Sequence, residues 1–221
     1  MGNSKVSWTD PDKIFKDIIW EDIKQASVFA KGRLLDVGCG TKPYYPLFSK
    51  KIAQYIGLDD NNSRADIKGN FFTCKISSSS YDTVLCTQML EHVEEPKALL
   101  IKIHKILKTG GILILTAPLT GSLHEMPRDY YRFTEYALSY LLRETGFSIE
   151  YIKGEGNWLS SISFNICFYL EGTLNKYLLR YPKKVFIAVV QYIFFLLSKL
   201  PNRFTKPELF PINYIVVAKK K

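Results

Sequence analysis

Two glycines spaced one residue apart, directly after an apolar run, are the first sign of chemistry in this chain. Leu34-Leu35-Asp36-Val37-Gly38-Cys39-Gly40 reads as a buried strand entering a sharp turn, where glycine lets the backbone approach a ligand closely. The continuation Thr41-Lys42-Pro43 lacks the third glycine of a dinucleotide fingerprint, which counts against a pyrophosphate site. Asp36 agrees, because a carboxylate before the turn repels pyrophosphate and suits a cationic ligand or a free amino group. Asp59, followed by Asp60, ends the next apolar run about twenty positions on, where an acid accepts bonds from ribose hydroxyls. The competing reading is a plain strand turn with an incidental acid. The agreement of turn, second acid and strand order favours the ligand site.

The other concentration of chemical groups lies in residues 118–134. His124, Glu125, Arg128, Asp129, Tyr130, Tyr131 and Arg132 crowd into one loop. Structural loops rarely need so many polar and aromatic groups together. Arg132 is expected to pair internally with Asp129 or Glu125. Arg128 either pairs likewise or binds an acidic acceptor.

These residues need elements to hold them. Apolar periodicity predicts helices over residues 12–29, 43–50, 96–107 and 133–145. Short apolar runs predict strands over 33–37, 54–58, 65–67, 81–86, 112–116, 147–152 and 213–218. Alternating strands and helices argue for an α/β fold, a doubly wound, mostly parallel sheet with helices on both faces. Ligands sit beyond the carboxyl ends of such strands, so chemistry is expected at Asp36–Gly40, Asp59-Asp60, Thr87-Gln88 and Pro118.

The 221 residues suit one domain with an elaboration. Cys39, Cys74, Cys86 and Cys167 form no C-x-x-C pair and cluster with no histidine, so neither a zinc site nor a disulfide framework is expected. Isolated cysteines and a polar stretch before residue 12 fit a cytoplasmic protein without a signal peptide. No run reaches the roughly 18 apolar residues of a membrane span. The net charge of +9 implies either solubility or attraction to phosphate-bearing partners.

Four segments together resemble the class I S-adenosylmethionine-dependent methyltransferases: residues 34–40; Ile56-Gly57-Leu58-Asp59; residues 81–93, which read Tyr-Asp-Thr-Val-Leu-Cys-Thr-Gln-Met-Leu-Glu-His-Val; and residues 107–118. The resemblance covers about residues 33–150 and implies a Rossmann-like seven-strand sheet with the last strand antiparallel. It implies that the glycine turn packs against the methionine moiety, that Asp59 holds the ribose, and that Thr87 and Gln88 line the cofactor. The position that usually offers an acid to the adenine amino group is Asn70, whose carbonyl oxygen can still accept a hydrogen bond. Methyl transfer is an in-line displacement in which the protein aligns donor and acceptor, and a hydroxyl acceptor needs a base. His124 is the first choice of base, with Glu125, Asp129 and His92 in reserve. His92 is read mainly as ordering the turn after the fourth strand. His124-Glu125-x-Pro127-x-Asp129-Tyr130-Tyr131-Arg132-Phe133-Thr134 resembles a subgroup tied to cell-envelope glycan or lipid pathways. The expected activity is therefore O-methylation of a small-molecule, saccharide or lipid-linked acceptor without a metal. The alternatives are a non-catalytic module of the same fold and, less well supported because of Pro43, a nicotinamide-dependent oxidoreductase.

Residues 154–212 interrupt that family pattern before the last strand. The domain is expected to comprise 1–153 and 213–221, with 154–212 as a helical insertion. Residues 158–170 and 185–198 are uncharged and apolar, and from 171 to 206 seven Lys and Arg face only Glu171. Greasy helices flanked by cations suit peripheral contact with an anionic membrane surface; a lid or a dimer interface is the alternative. Nucleic acid fits poorly, because the cations flank the greasy runs instead of interleaving on a polar face.

Overall fold

The computed structural model describes residues 6–60, 64–174, 180–197 and 209–221. Its centre is a seven-stranded sheet of order β3-β2-β1-β4-β5-β7-β6. The strands are β1 (Arg33–Val37), β2 (Gln54–Asp59), β3 (Ile67–Lys68), β4 (Tyr81–Thr87), β5 (Leu107–Pro118), β6 (Phe147–Glu155) and β7 (Asn213–Lys220). The helices are α1 (Lys13–Ala26), α2 (Tyr45–Phe48), α3 (Pro96–Ile106), α4 (Glu135–Glu144), α5 (Trp158–Leu174) and α6 (Arg180–Leu197). The sheet is parallel apart from one antiparallel strand, as the sequence implied. Central strands covered on both faces carry continuous apolar runs: Leu34, Leu35, Val37, Val84, Leu85 and Leu113 are all fully buried.

Parallel registers bring Val37 beside Leu58 on one side and Cys86 on the other. The carboxyl ends of β1, β2 and β4 therefore finish at one level. β5 begins five residues earlier than its apolar run. Tyr81 pairs with Leu107 and Thr83 with Ile112, so the intervening residues of β5 bulge out, with Gly110 at φ +71° inside the bulge. In sequence the Gly110-Gly111 pair reads as the break between the helix over 96–107 and the strand over 112–116, but here it absorbs the extra residues within β5 itself. α4 starts where Thr134 Oγ accepts from the Ala137 amide at 3.2 Å. Thr134→Ala is expected to cost about 1 kcal/mol in urea unfolding, the usual worth of such a cap.

The chain divides into two compact units. One gathers residues of Met1–Asp22, Leu119–His124 and Gly154–Asn213; the other holds Ile23–Pro118, Glu125–Lys153 and Tyr214–Lys221. The N-terminal segment thus falls with the insertion and not, as expected, with the sheet. Side chains account for this grouping. The Trp8 ring meets Tyr192 and Phe195 edge-on, Phe15 packs on Phe164, and Gln191 Nε2 donates to the carbonyls of Trp8 and Asp10. Among the described residues no helix is long and apolar enough to cross a membrane.

Candidate active site

A cleft of about 1050 Å³ opens beyond the carboxyl ends of the parallel strands, lined entirely by the sheet-bearing unit. The glycine turn forms one wall. Gly38 and Cys39 donate their amides to the Leu58 carbonyl at 2.9 and 3.1 Å, which clamps the turn to the end of β2. The Gly40 amide then donates to Asp59 Oδ2 at 2.9 Å. Both glycines have positive φ, +72° at Gly38 and +49° at Gly40. A Cβ at Gly38 would stand 3.2 Å from Met89 Sδ, whereas one at Gly40 would meet nothing within 4 Å. Gly38 therefore serves close approach to the floor of the cleft, and Gly40 leaves bare backbone against open space.

Of the expected cofactor residues, Gly38, Gly40, Asp59, Asp60, Asn70 and Gln88 line the cleft. Gln88 sits at φ +48°, a costly backbone for a non-glycine residue. Hydrogen bonds to Thr116 hold it there: its amide donates to the carbonyl and Oγ1 at 3.2 Å, and its Nε2 to Oγ1 at 2.9 Å. The Asn70 carbonyl oxygen accepts from the Phe72 amide at 2.8 Å, closing the loop that presents Phe71 and Phe72.

Asp36, Cys39 and Thr87 are placed elsewhere than expected: all three are buried and none lines the cleft. Asp36 lies within the sheet, where its carboxyl accepts from the Tyr55 hydroxyl. Burial, above all, pushes the Asp36 carboxyl up to about 7, although Tyr55 and Lys42 pull it down. Burial likewise pushes the Cys39 thiol up to about 12. Strand alternation explains Asp36, since a side chain at the penultimate position of a central strand enters the packed layer.

The loop after β5 forms the opposite wall through Glu125, Met126, Pro127, Arg128 and Tyr130. The Glu91 carbonyl accepts the amides of Tyr130 and Tyr131, and the two tyrosine hydroxyls donate to Glu94. Arg132 forks onto Asp129 at 2.6 and 2.9 Å, the internal pairing the sequence favoured. Asp129 is thereby buried in structure and does not line the cleft. His124 belongs to the other unit, its Nδ1 3.1 Å from the Ser122 carbonyl, and it too is absent from the lining.

The histidine in the cleft is His92, ranked only in reserve by sequence. Its Nδ1 is 2.6 Å from the Arg128 carbonyl, and its Nε2 is 4.0 Å from Glu125. A carbonyl only accepts, so Nδ1 carries the proton and Nε2 is the basic nitrogen of the neutral ring. The signal was present in sequence, because Glu91-His92 lies a few residues beyond the carboxyl end of the fourth strand. Beside it, Glu91 is fully buried, and among the described residues neither carboxyl oxygen has a hydrogen-bond donor beyond its own backbone amide. Burial first of all pushes it up to about 8; its own backbone amide and Arg132 pull it down, while Asp129 and Glu125 push it up. The unfolded chain ionises this acid near the ordinary carboxylate range and the folded chain does not. Stability should therefore fall as pH rises toward 8 and level off above it. Glu91→Gln is expected to flatten that decline and stabilise the fold at pH 8 by on the order of 2 kcal/mol, measured by urea unfolding across pH.

A doubly wound sheet, a glycine turn and a ribose-type acid at its carboxyl edge define a nucleoside-cofactor enzyme of the class I methyltransferase fold. The family described as "Methyltransferase domain" matches residues 19–152, and the chain belongs to it. The protein is thus a methyltransferase with S-adenosylmethionine as its cofactor. Among curated relatives, it is 23% identical over 201 residues to a ubiquinone biosynthesis O-methyltransferase of Hahella chejuensis, covering 79% of this chain and 82% of the relative. Among solved structures it resembles a SAM-dependent methyltransferase from Archaeoglobus fulgidus, with TM-score 0.58, 17% identity, 95% of this chain and 97% of that one covered. It matches the 4+2 cyclase SpnF equally well, with TM-score 0.58, 20% identity, 91% and 79% covered. Likeness at that level shows the fold alone.

The cleft fits the cofactor. Bare backbone at Gly40, the anchored Asp59 carboxylate and the apolar faces of Phe71, Phe72 and Met89 match a ligand with a ribose, an aromatic base and a positive charge. Asp59, Asp60, Glu94, Glu95 and Glu125 outnumber the cation Arg128 in the lining, which favours a cationic donor.

Proposed function

We propose that this methyltransferase transfers the methyl group to an oxygen of a small-molecule, saccharide or lipid-linked acceptor, with His92 as general base. The observation that carries the reading is His92 in the cleft wall with its tautomer fixed by the Arg128 carbonyl. That bond leaves Nε2 to accept the proton of a hydroxyl as the displacement proceeds. Glu125, 4.0 Å from Nε2, then stabilises the imidazolium. The cofactor supplies an electrophilic methyl on a sulfonium when bound; Asp59 would hold its ribose and the glycine turn would border its amino-acid end. The protein's own contribution is alignment and proton removal. The relatives named as ubiquinone biosynthesis O-methyltransferases support oxygen as the acceptor atom.

The test is methyl transfer from labelled cofactor into a panel of phenols, sugars and a cell-envelope lipid extract, with the product located by mass spectrometry. Methyl on oxygen is the expected result. Methyl found only on nitrogen or carbon, or no transfer despite cofactor binding, would overturn the reading.

A further inference from the structure

α6 is amphipathic in the reverse of the usual sense. Its inward positions are Lys183, Ile187 and Gln191, all at most 3% exposed. Lys183 Nζ pairs with Glu171 at 2.7 Å, and Gln191 Nε2 donates to the Trp8 and Asp10 carbonyls, all within the same unit. The outward positions Val185, Phe186, Val189, Tyr192, Ile193 and Leu196 are each about half exposed. They follow an i, i+3, i+4 spacing, so they form one stripe along the helix. α5 adds Trp158, Ile162 and Tyr169 as exposed apolar or aromatic side chains. An ordered polar interior combined with a continuous apolar exterior marks a contact surface and not a folding defect.

We infer that the outward face of α6 is a docking surface for an anionic lipid bilayer, with the helix lying in the plane of the headgroups. Two observations select lipid over a second copy of the chain. In sequence, residues 171–206 carry seven cations against Glu171; Lys183 is spent on that acid inside the unit, which leaves an excess of six, with Lys184 directly before the apolar stripe and Lys199 after it in the chain, a charge excess complementary to an anionic surface. Tyr192 lies within the exposed stripe of α6, and Trp158 and Tyr169 are exposed on α5; amphipathic rings of this kind favour the headgroup level. Among the described residues neither helix is long and apolar enough to cross a membrane, so the proposed contact is of the in-plane kind. The inference deepens the lipid-linked part of the proposed acceptor, by bringing the enzyme to the surface where such acceptors reside, and is independent of the transfer chemistry.

The experiment is co-sedimentation of the full chain with vesicles of pure phosphatidylcholine and with an equimolar mixture of phosphatidylcholine and phosphatidylglycerol, at low and high salt. A double variant, Val189→Asp with Ile193→Asp, is run alongside; both sites are exposed, so the fold tolerates the charge. The wild type should pellet with anionic vesicles at low salt and with neither composition at high salt. The variant should lose at least about tenfold of that binding, while S-adenosylmethionine affinity, read by calorimetry on the same samples, stays unchanged. A wild type that remains in the supernatant, or a variant that binds equally well, overturns the docking surface. So does a wild-type dimer in lipid-free light scattering that the double variant converts to monomer, because the face is then a self-interface. Cofactor affinity separates this failure from failure of the enzyme reading.

Discussion

Asp59→Ala should weaken S-adenosylmethionine binding by about a hundredfold, since charge-assisted hydrogen bonds contribute about 1.5–3 kcal/mol each. Two losses combine in this variant. The carboxylate that would hold the ribose disappears, and the Gly40 amide loses the acceptor that fixes it at 2.9 Å. The turn is otherwise held by the Leu58 carbonyl, so the fold should persist. Asp59→Asn keeps an acceptor of similar shape without the charge, and about a tenfold loss is expected. Calorimetric titration checks both, with the unfolding midpoint as control. A folded Asp59→Ala chain that binds the cofactor as tightly as the wild type would remove Asp59 from the site.

His92→Ala is expected to lower kcat by about a hundredfold to a thousandfold, in the range of a lost general base, with cofactor affinity changed less than about threefold. The prediction is kinetic because His92 touches the loop after β5 and not the glycine turn. The base role and the positional role of the ring can be separated. His92→Gln retains a side-chain amide able to donate to the Arg128 carbonyl but offers no proton acceptor of comparable basicity. If His92 is the base, both variants lose activity alike and His92→Ala regains it with added imidazole. If the ring only positions the loop, His92→Gln keeps most of the activity. His124→Ala is the companion control, expected to turn over at the wild-type rate; a collapse there would return the base assignment to the sequence-based choice.

The contrast between the two histidines locates the boundary between sequence and structure. The sheet, the glycine turn and Asp59 were legible in the chain itself, because each depends on local order. An apolar run makes a central strand, glycine at its end permits a positive-φ turn, and a second run closes with an acid at the same level. Parallel register does the rest, pairing Val37 with Leu58 and so bringing Gly40 to Asp59. That Asp36, Cys39 and Thr87 are buried was not legible, because proximity in sequence to a turn says nothing about which way a strand side chain faces; packing put all three inside. The loop of residues 118–134 showed its chemical content but not its direction. Tertiary hydrogen bonds to Glu91 and Glu94, and the fork of Arg132 on Asp129, decided that Arg128 and Tyr130 face the cleft and that Asp129 does not. The same holds for the insertion. Composition announced that it was greasy and cationic, but only the packed helix revealed that Lys183 and Gln191 point inward while Val189 and Ile193 point out. A helical stripe specifies two faces, and which of them is covered depends on what the rest of the unit offers to its polar groups.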